Sequence, residues 1–167
     1  MKAVMISEPP TICEKVANGD CTILVKKTRP KIDTPFKCYI YCTKDFKFND
    51  FKYSLNFLEA YKRSGKVIGH FVCDEVYNLV QAGAGIMFAT ENLDLLEPQM
   101  FRDMSCLTDN QLSDYLDNKD GFGWHISNLV IYDEPKELWE FFTPIGKRPS
   151  YMIERPPQSW CYVEEKE

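Results

Sequence analysis

Short stretches of apolar and β-branched residues recur along the chain, separated by polar segments that contain glycine or proline. In the stretch Phe36–Thr43 hydrophobic and polar positions alternate, which is typical of a β-strand with one buried face. Gly69 lies inside a later stretch, where it is expected to mark a bulge or a close approach of two backbones. The predicted strands are Ala3–Ser7, Thr22–Lys27, Phe36–Thr43, Lys66–Leu79, Gly123–Ile131 and Ser159–Glu164.

Helices are predicted between these strands from residues that favour helix starts and ends. Pro9-Pro10 begins the first helix and Gly19 ends it, since proline suits the first turn and glycine the left-handed end. Asn49 is expected to cap a second helix over Asp50–Arg63, with Phe51, Leu55 and Leu58 on one apolar face.

Two further helices are predicted in the second half of the chain. Thr108 and Gln111 match a capping box, which predicts a helix to about Asp117. Asp133-Glu134-Pro135 is expected to begin a short helix that runs through Phe141. Strands interspersed with short helices predict an α+β fold with a curved sheet or a small barrel of five to six strands.

Length and composition favour a single globular domain over residues 1–167. The chain is 44% hydrophobic, which supports a core, and it contains no apolar run of membrane-spanning length. Its first apolar stretch is too short for a secretory signal, so we expect a cytoplasmic protein.

The seven cysteines fit a reducing compartment, because an odd number leaves one unpaired and several lie in apolar stretches. No CxxC pair occurs and the only histidines are His70 and His125, so we expect no metal site. His125 is interpreted as a structural histidine. The acidic residues Asp114, Asp117 and Asp120 do not match a calcium loop and are interpreted as solvated surface.

Charge is divided unevenly along the chain although the net charge is only −5. The segment from Leu24 to Lys66 contains eleven Lys and Arg residues and four Asp and Glu residues. The segment from Val67 to Thr143 contains three Lys and Arg residues and fourteen Asp and Glu residues. These blocks, +7 and −11, predict one positive and one negative face, and ordinary solvated surface is the alternative interpretation.

The densest positive stretch is Lys26–Lys31, which we call the basic segment. In a strand Lys27 and Arg29 would point to one side and Lys26 to the other. Arg binds phosphate through two hydrogen bonds and Lys through a point charge, so the segment predicts an anionic ligand. Aromatic residues that could stack on bases are Tyr39, Tyr41, Trp124, Trp160 and Tyr162, and the alternative for each is a place in the core.

Several separated stretches, taken together in their order and spacing, resemble the ASCH-domain family, especially its small members from bacteriophages and mobile elements. The resemblance covers most of the chain except two segments, about 44–64 and 81–118, which are interpreted as family-variable insertions. The matching stretches are Lys15–Gly19 with Thr22-Ile23, Lys27–Lys31, Thr34–Thr43, Gly65–Gly69, Trp124–Leu129 and Arg155–Val163.

The resemblance implies a PUA-like fold, a small β-barrel flanked by helices, and a cleft for RNA, a nucleotide or a modified nucleoside. Some members are amidohydrolases that deacylate a modified cytidine, with a Lys that activates a Thr, and some are ribonucleases. Here Cys21 and Leu24 stand at the positions of that Lys and Thr. Lys26 stands where Arg is usual, and His70 where Glu is common.

These departures predict a binding module without catalysis, because a leucine can act neither as nucleophile nor as general base. Its expected ligand is RNA, a nucleotide or a nucleic-acid-associated protein, and no cofactor is expected. A phage protein that acts against host defence through a host protein partner is one form of this prediction. The alternative is a nucleoside or RNA hydrolase that uses Cys21, Lys26 or His70. The expected ligand-binding residues are Lys26, Lys27, Arg29, Lys31, Tyr41, Trp124, Ser159 and Trp160.

Overall fold

The computed structural model describes residues 3–83, 85–144 and 151–165. Within them it contains eleven β-strands, five α-helices and a 3₁₀-helix at Leu138–Glu140. The strands are β1 Ala3–Glu8, β2 Ile23–Lys26, β3 Phe36–Cys42, β4 Val67–Cys73, β5 Val76–Ala82, β6 Gly85–Ala89, β7 Gly121–His125, β8 Ser127–Lys136, β9 Phe141–Thr143, β10 Tyr151–Met152 and β11 Trp160–Glu165. The helices are α1 Pro10–Ala17, α2 Phe48–Phe51, α3 Phe57–Arg63, α4 Pro98–Ser105 and α5 Asp109–Leu116.

The chain forms two compact units. The first unit comprises the described parts of Met1–Ala17, Phe36–Val72 and Asn128–Glu167, and the second comprises Asn18–Pro35 and Cys73–Ser127. The predicted organisation as one domain with insertions at 44–64 and 81–118 stays a prediction. Among the described residues no helix is long and apolar enough to cross a membrane.

The first unit is built on a seven-stranded sheet with the order β10-β9-β11-β1-β3-β4-β8. Its central strand β1 pairs in parallel with β3 and antiparallel with β11. Every residue of β1 is buried, which explains its nearly continuous apolar sequence. The core beneath these strands includes Met5, Tyr39, Phe141 and Val163.

The second unit contains a four-stranded sheet with the order β2-β7-β5-β6, covered by α4 and α5. Phe101 of α4 stacks on Phe88 of β6 with ring centroids 4.2 Å apart. Gly123 lets Phe101 lie close to β7, because a Cβ at this position would come within 2.9 Å of the Phe101 ring. The capping box of Thr108 and Gln111 is present at the start of α5 and confirms that prediction.

The α+β class is confirmed, but the number of strands exceeds the five to six predicted. Two of the predicted strands are each divided in two: β4 and β5 replace Lys66–Leu79, and β7 and β8 replace Gly123–Ile131. In the described ranges the two sheets have open strand orders, so closure into a barrel is not seen there.

Two of the predicted helices are wrong. The helix predicted over Asp50–Arg63 is two short helices, α2 and α3, and Leu55 and Leu58 are 103% and 68% exposed instead of packed. In the helix predicted from Asp133 through Phe141, the first residues are instead the end of β8, which continues to Lys136, and only Leu138–Glu140 are helical, as a 3₁₀-helix. Pairing with β4 in the sheet outweighs the local helix-start signal of Pro135.

Candidate functional site

The basic segment begins at the last residue of β2 and continues into the following loop. Lys26 pairs with Phe122 across the β2–β7 ladder and is buried, at 3% exposure. Lys27, Thr28 and Lys31 are exposed, and Arg29 is half-buried. The segment therefore presents its cations to solvent from the loop, whereas its first lysine is buried.

An open cavity of about 630 Å³ lies against this loop. Phe122 lines it together with Arg29 and Lys31. Phe122 is half-buried in β7. The lining residues are Thr28, Arg29, Pro30, Lys31, Ile32, Asp33, Glu91 and Phe122.

Two contacts hold the cations of the loop. Arg29 Nη1 donates a hydrogen bond to Glu91 Oε1 at 2.8 Å, and Thr34 Oγ1 donates to Glu91 Oε2 at 3.4 Å. Lys27 Nζ lies 5.2 Å from the centre of the Tyr115 ring, a cation–π distance. Glu91 thus orients Arg29 and at the same time offsets its charge.

Arg29 also affects a buried thiol of the same unit. Burial and the neighbouring Asp74 raise the pKa of Cys73 to about 12, whereas the positive charge of Arg29 acts in the opposite direction. The Cys73 thiol is therefore neutral at physiological pH despite the nearby cation. Asp74 itself contacts His125, whose Nδ1 lies 2.6 Å from Asp74 Oδ1.

Two of the rings that were expected to stack on bases are buried. Trp124 is fully buried in the second unit, and Tyr41 belongs to the core cluster of the first. Burial, followed by the charges of Cys42 and Glu137, raises the pKa of Tyr41. Neither ring faces solvent, so their burial favours the core interpretation of both residues over a role in stacking.

Ser159 and Trp160 lie at the start of β11, in the first unit. The Ser159 carbonyl accepts a hydrogen bond from the Ser7 backbone N–H at 3.0 Å. Trp160 is opposite Ile6 in the β1–β11 ladder, and its ring meets Tyr162 edge-on with centroids 5.3 Å apart. Trp160 is half-buried, and the ligand role of both residues stays a prediction.

The residues considered for catalysis are spread over both units. Cys21, in the second unit, is buried, and its thiol donates to the carbonyls of Ile23 at 3.2 Å and Ser105 at 3.8 Å. Leu24 is buried in β2 of the same unit. His70, in the first unit, has its Nδ1 2.8 Å from the hydroxyl oxygen of Tyr132. Cys21 and Lys26 are buried, at 2% and 3% exposure, which weighs against a hydrolase that uses them.

Metal binding has no support in the described ranges, where no group of three or more His, Cys, Asp or Glu is placed to hold an ion.

Sequence reasoning missed Phe122 and Glu91 in this cavity. Phe122 stands in the glycine-flanked sequence of β7, where the adjacent Trp124 is the more conspicuous aromatic residue. The two residues are at i and i+2 and so share one face of the strand, and alternation alone could not have shown that Phe122 is half-buried while Trp124 is buried. Glu91 lies 62 residues from Arg29 in sequence, and no local pattern joins them.

No family model and no curated protein matches this chain. Solved structures of an ASCH protein from Zymomonas mobilis are similar to it. The wild-type structure has a TM-score of 0.56 at 12% identity and covers 97% of this chain and 87% of its own. The structure of a variant with a tyrosine replaced by phenylalanine has a TM-score of 0.56 at 13% identity and covers 98% of this chain and 91% of its own. That of a serine-to-alanine variant has a TM-score of 0.56 at 13% identity and covers 97% of this chain and 88% of its own. At this identity the likeness establishes the fold, and it confirms the resemblance that the sequence predicts at that level.

Proposed function

Since the chain has the fold of ASCH-domain proteins, we propose that it is a non-catalytic module that binds single-stranded RNA through the basic segment. The observation that carries the proposal is the cavity in the second unit, where Arg29 and Lys31 line one space with the Phe122 ring. Cations that follow the phosphates and an aromatic face for a base are the two elements of single-strand recognition.

Binding without chemistry is favoured by the residues beneath the loop. Leu24 has no group that can transfer a proton or attack a carbonyl, and the Cys21 thiol is buried against backbone carbonyls. In contrast, the cations of the loop after β2 are exposed at Lys27 and Lys31. A PUA-like barrel and an origin in a phage or mobile element belong to the same proposal.

The test is the salt dependence of binding to a fluorescent RNA of about 12 nucleotides. The logarithm of the binding constant falls linearly with the logarithm of the salt concentration, by about 0.7 per phosphate contact for a single strand. Roughly three contacts therefore predict a slope near −2. Affinity should then fall about twentyfold between 50 and 200 mM salt. A duplex RNA of the same sequence should bind more weakly, because its bases cannot reach Phe122. Absence of binding to the single strand at 50 mM salt contradicts the proposal.

Replacing Glu91 by glutamine is expected to increase affinity for the RNA about threefold at low salt. The Arg29–Glu91 pair is partly exposed, so breaking it costs little, and it frees Arg29 Nη1 for a phosphate. Fluorescence anisotropy with the same RNA measures the change. Asp94→Asn is the matched control, because it removes the same charge from an exposed position of the same unit. An equal gain in both variants indicates a general field effect and no specific release of Arg29.

A further inference from the structure

A second cavity, of about 750 Å³, lies in the first unit and shares no residue with the basic segment. It is formed where β3 ends, α3 ends, β4 begins and β8 ends. Its volume is in the range of sites for small molecules. We call it the lysine cavity, and it is lined by Lys44, Tyr61, Lys62, Ser64, Lys66, Glu134, Pro135 and Glu137.

One cation of the lysine cavity is positioned by the backbone. The aliphatic stem of Lys44 lies across Gly65, since a Cβ at Gly65 would come within 3.0 Å of Lys44 Cγ and Cε. Gly65 has φ +76°, a conformation that favours glycine. The glycine therefore lets the lysine stem pack flat, which reduces the conformational freedom that Lys44 loses when it binds an anion.

The other two cations differ in their partners. Lys62 lies at the exposed end of α3, and its only close carboxylate is Glu59 at 3.9 Å among the pairs the structure describes. Lys66 pairs with Glu137 at the wall of the cavity. Lys44 and Lys62 are thus the cations that an incoming phosphate can reach, whereas Lys66 is offset by its glutamate.

An exposed aromatic ring borders these cations. Tyr61 is 63% exposed, and the Phe46 ring supports it edge-on at 5.5 Å and 81°. Phe46 is itself stacked on Phe51, so the support is part of a packed cluster. A ring held in this way offers a face on which a base can stack.

Two carboxylates complete the lining. Glu134 is exposed, and Glu137 is half-buried. The carboxylate of Glu137 also contributes to the raised pKa of nearby Tyr41, after the larger effects of burial and Cys42. Carboxylates accept hydrogen bonds from sugar hydroxyls or base amino groups. A site for inorganic anions alone has no use for such acceptors.

From these residues we infer that the lysine cavity is a binding site for a ribonucleoside monophosphate. Its phosphate lies between Lys44 and Lys62, its base stacks on Tyr61, and its ribose hydroxyls donate to Glu134. The site is separate from the RNA-binding segment, because the lining residues belong to the first unit and those of the segment to the second. Each proposal can therefore fail without the other.

The test is isothermal titration calorimetry with AMP, CMP, GMP and UMP, compared with adenosine and inorganic phosphate. At least one monophosphate is expected to bind about tenfold more tightly than either adenosine or phosphate alone, because it uses both halves of the site. Lys44→Ala combined with Lys62→Ala should weaken the monophosphate about tenfold and leave adenosine unchanged. Tyr61→Ala should weaken the binding of both the monophosphate and adenosine, whereas Tyr61→Phe should weaken the binding of neither.

The matched control is Lys47→Ala with Lys52→Ala, which removes two exposed lysines of the same chain segment outside the cavity. It should bind like the wild type, as should the variant in which Lys27, Arg29 and Lys31 are alanine. No detectable binding of any monophosphate overturns the inference. So does equal binding by the Lys44/Lys62 variant and its control.

Discussion

Replacement of Lys27, Arg29 and Lys31 together by alanine is expected to weaken binding of single-stranded RNA roughly 100-fold at 50 mM salt. These cations lie on the loop after β2, exposed or half-buried, and Arg29 and Lys31 line the cavity with Phe122. Each lost phosphate contact removes close to tenfold at low salt, and Arg29 contributes less because Glu91 already offsets its charge. The slope of the logarithm of the binding constant against the logarithm of the salt concentration should also become shallower, by about 2.

The control for this variant must carry the same change in charge. Lys47, Lys52 and Lys119 are exposed lysines outside the basic segment, and their triple alanine variant also lowers the net charge by three. Its affinity for the RNA is expected to fall by less than about threefold. If both triple variants lose affinity equally, the RNA responds to net charge and the basic segment is ordinary solvated surface.

Gly69→Ala is expected to destabilise the protein by roughly 3 kcal/mol or more. A Cβ at this buried position of β4 would come within 2.1 Å of the Val130 carbonyl oxygen and 3.1 Å of Ile131 Cα. Both are backbone atoms of β8, so no side chain can move aside and the two strands must separate. Thermal denaturation followed by circular dichroism should show the midpoint lowered by about 6–12 °C.

Gly83→Ala is the matched control for this substitution. Gly83 is exposed, and a Cβ there meets nothing within 4 Å. Its midpoint should stay within about 2 °C of the wild type, because exposed substitutions away from special features change stability little. Equal midpoints for Gly69→Ala and Gly83→Ala contradict the close approach of β4 and β8.

Gly69 also shows what a sequence pattern can predict about this fold. A glycine inside an apolar strand indicated a bulge or a close backbone approach, and the close approach is confirmed. Local signals of this kind also predicted the capping box of α5 and the strands β1, β3 and β11 within one residue at each end. Their physical causes act over a few neighbouring residues, which the sequence contains in full.

Features that depend on distant contacts were not predictable in this way. Helical spacing placed Leu55 on a buried face, but the chain leaves the helix between α2 and α3 and Leu55 is fully exposed. Pro135 gave a helix-start signal, although β8 reaches Lys136 in the sheet. For Pro135 the partner that decides the local conformation is β4, which is far away in sequence.

The candidate site was predictable to a similar extent. Charge density identified the basic segment, and strand alternation placed Lys26 and Lys27 on opposite sides, but neither signal showed that Lys26 is the buried one. The pairing of Arg29 with Glu91 depends on the fold, since the loop after β6, which holds Glu91, is remote in sequence from the loop after β2. Phe122 was overlooked because Trp124, two residues away on the same face of β7, is the larger ring, and only the fold shows that Trp124 is buried and Phe122 half-buried.

The central claim is that single-stranded RNA contacts the loop after β2, and mapping the contact by NMR tests it most directly. A titration of the ¹⁵N-labelled protein with the short RNA should shift the backbone amides of Lys27, Thr28, Arg29, Lys31 and Phe122 in proportion to occupancy. Pro30 carries no amide proton and gives no signal. If these amides stay unshifted while the RNA binds, the basic segment is not the RNA-binding site.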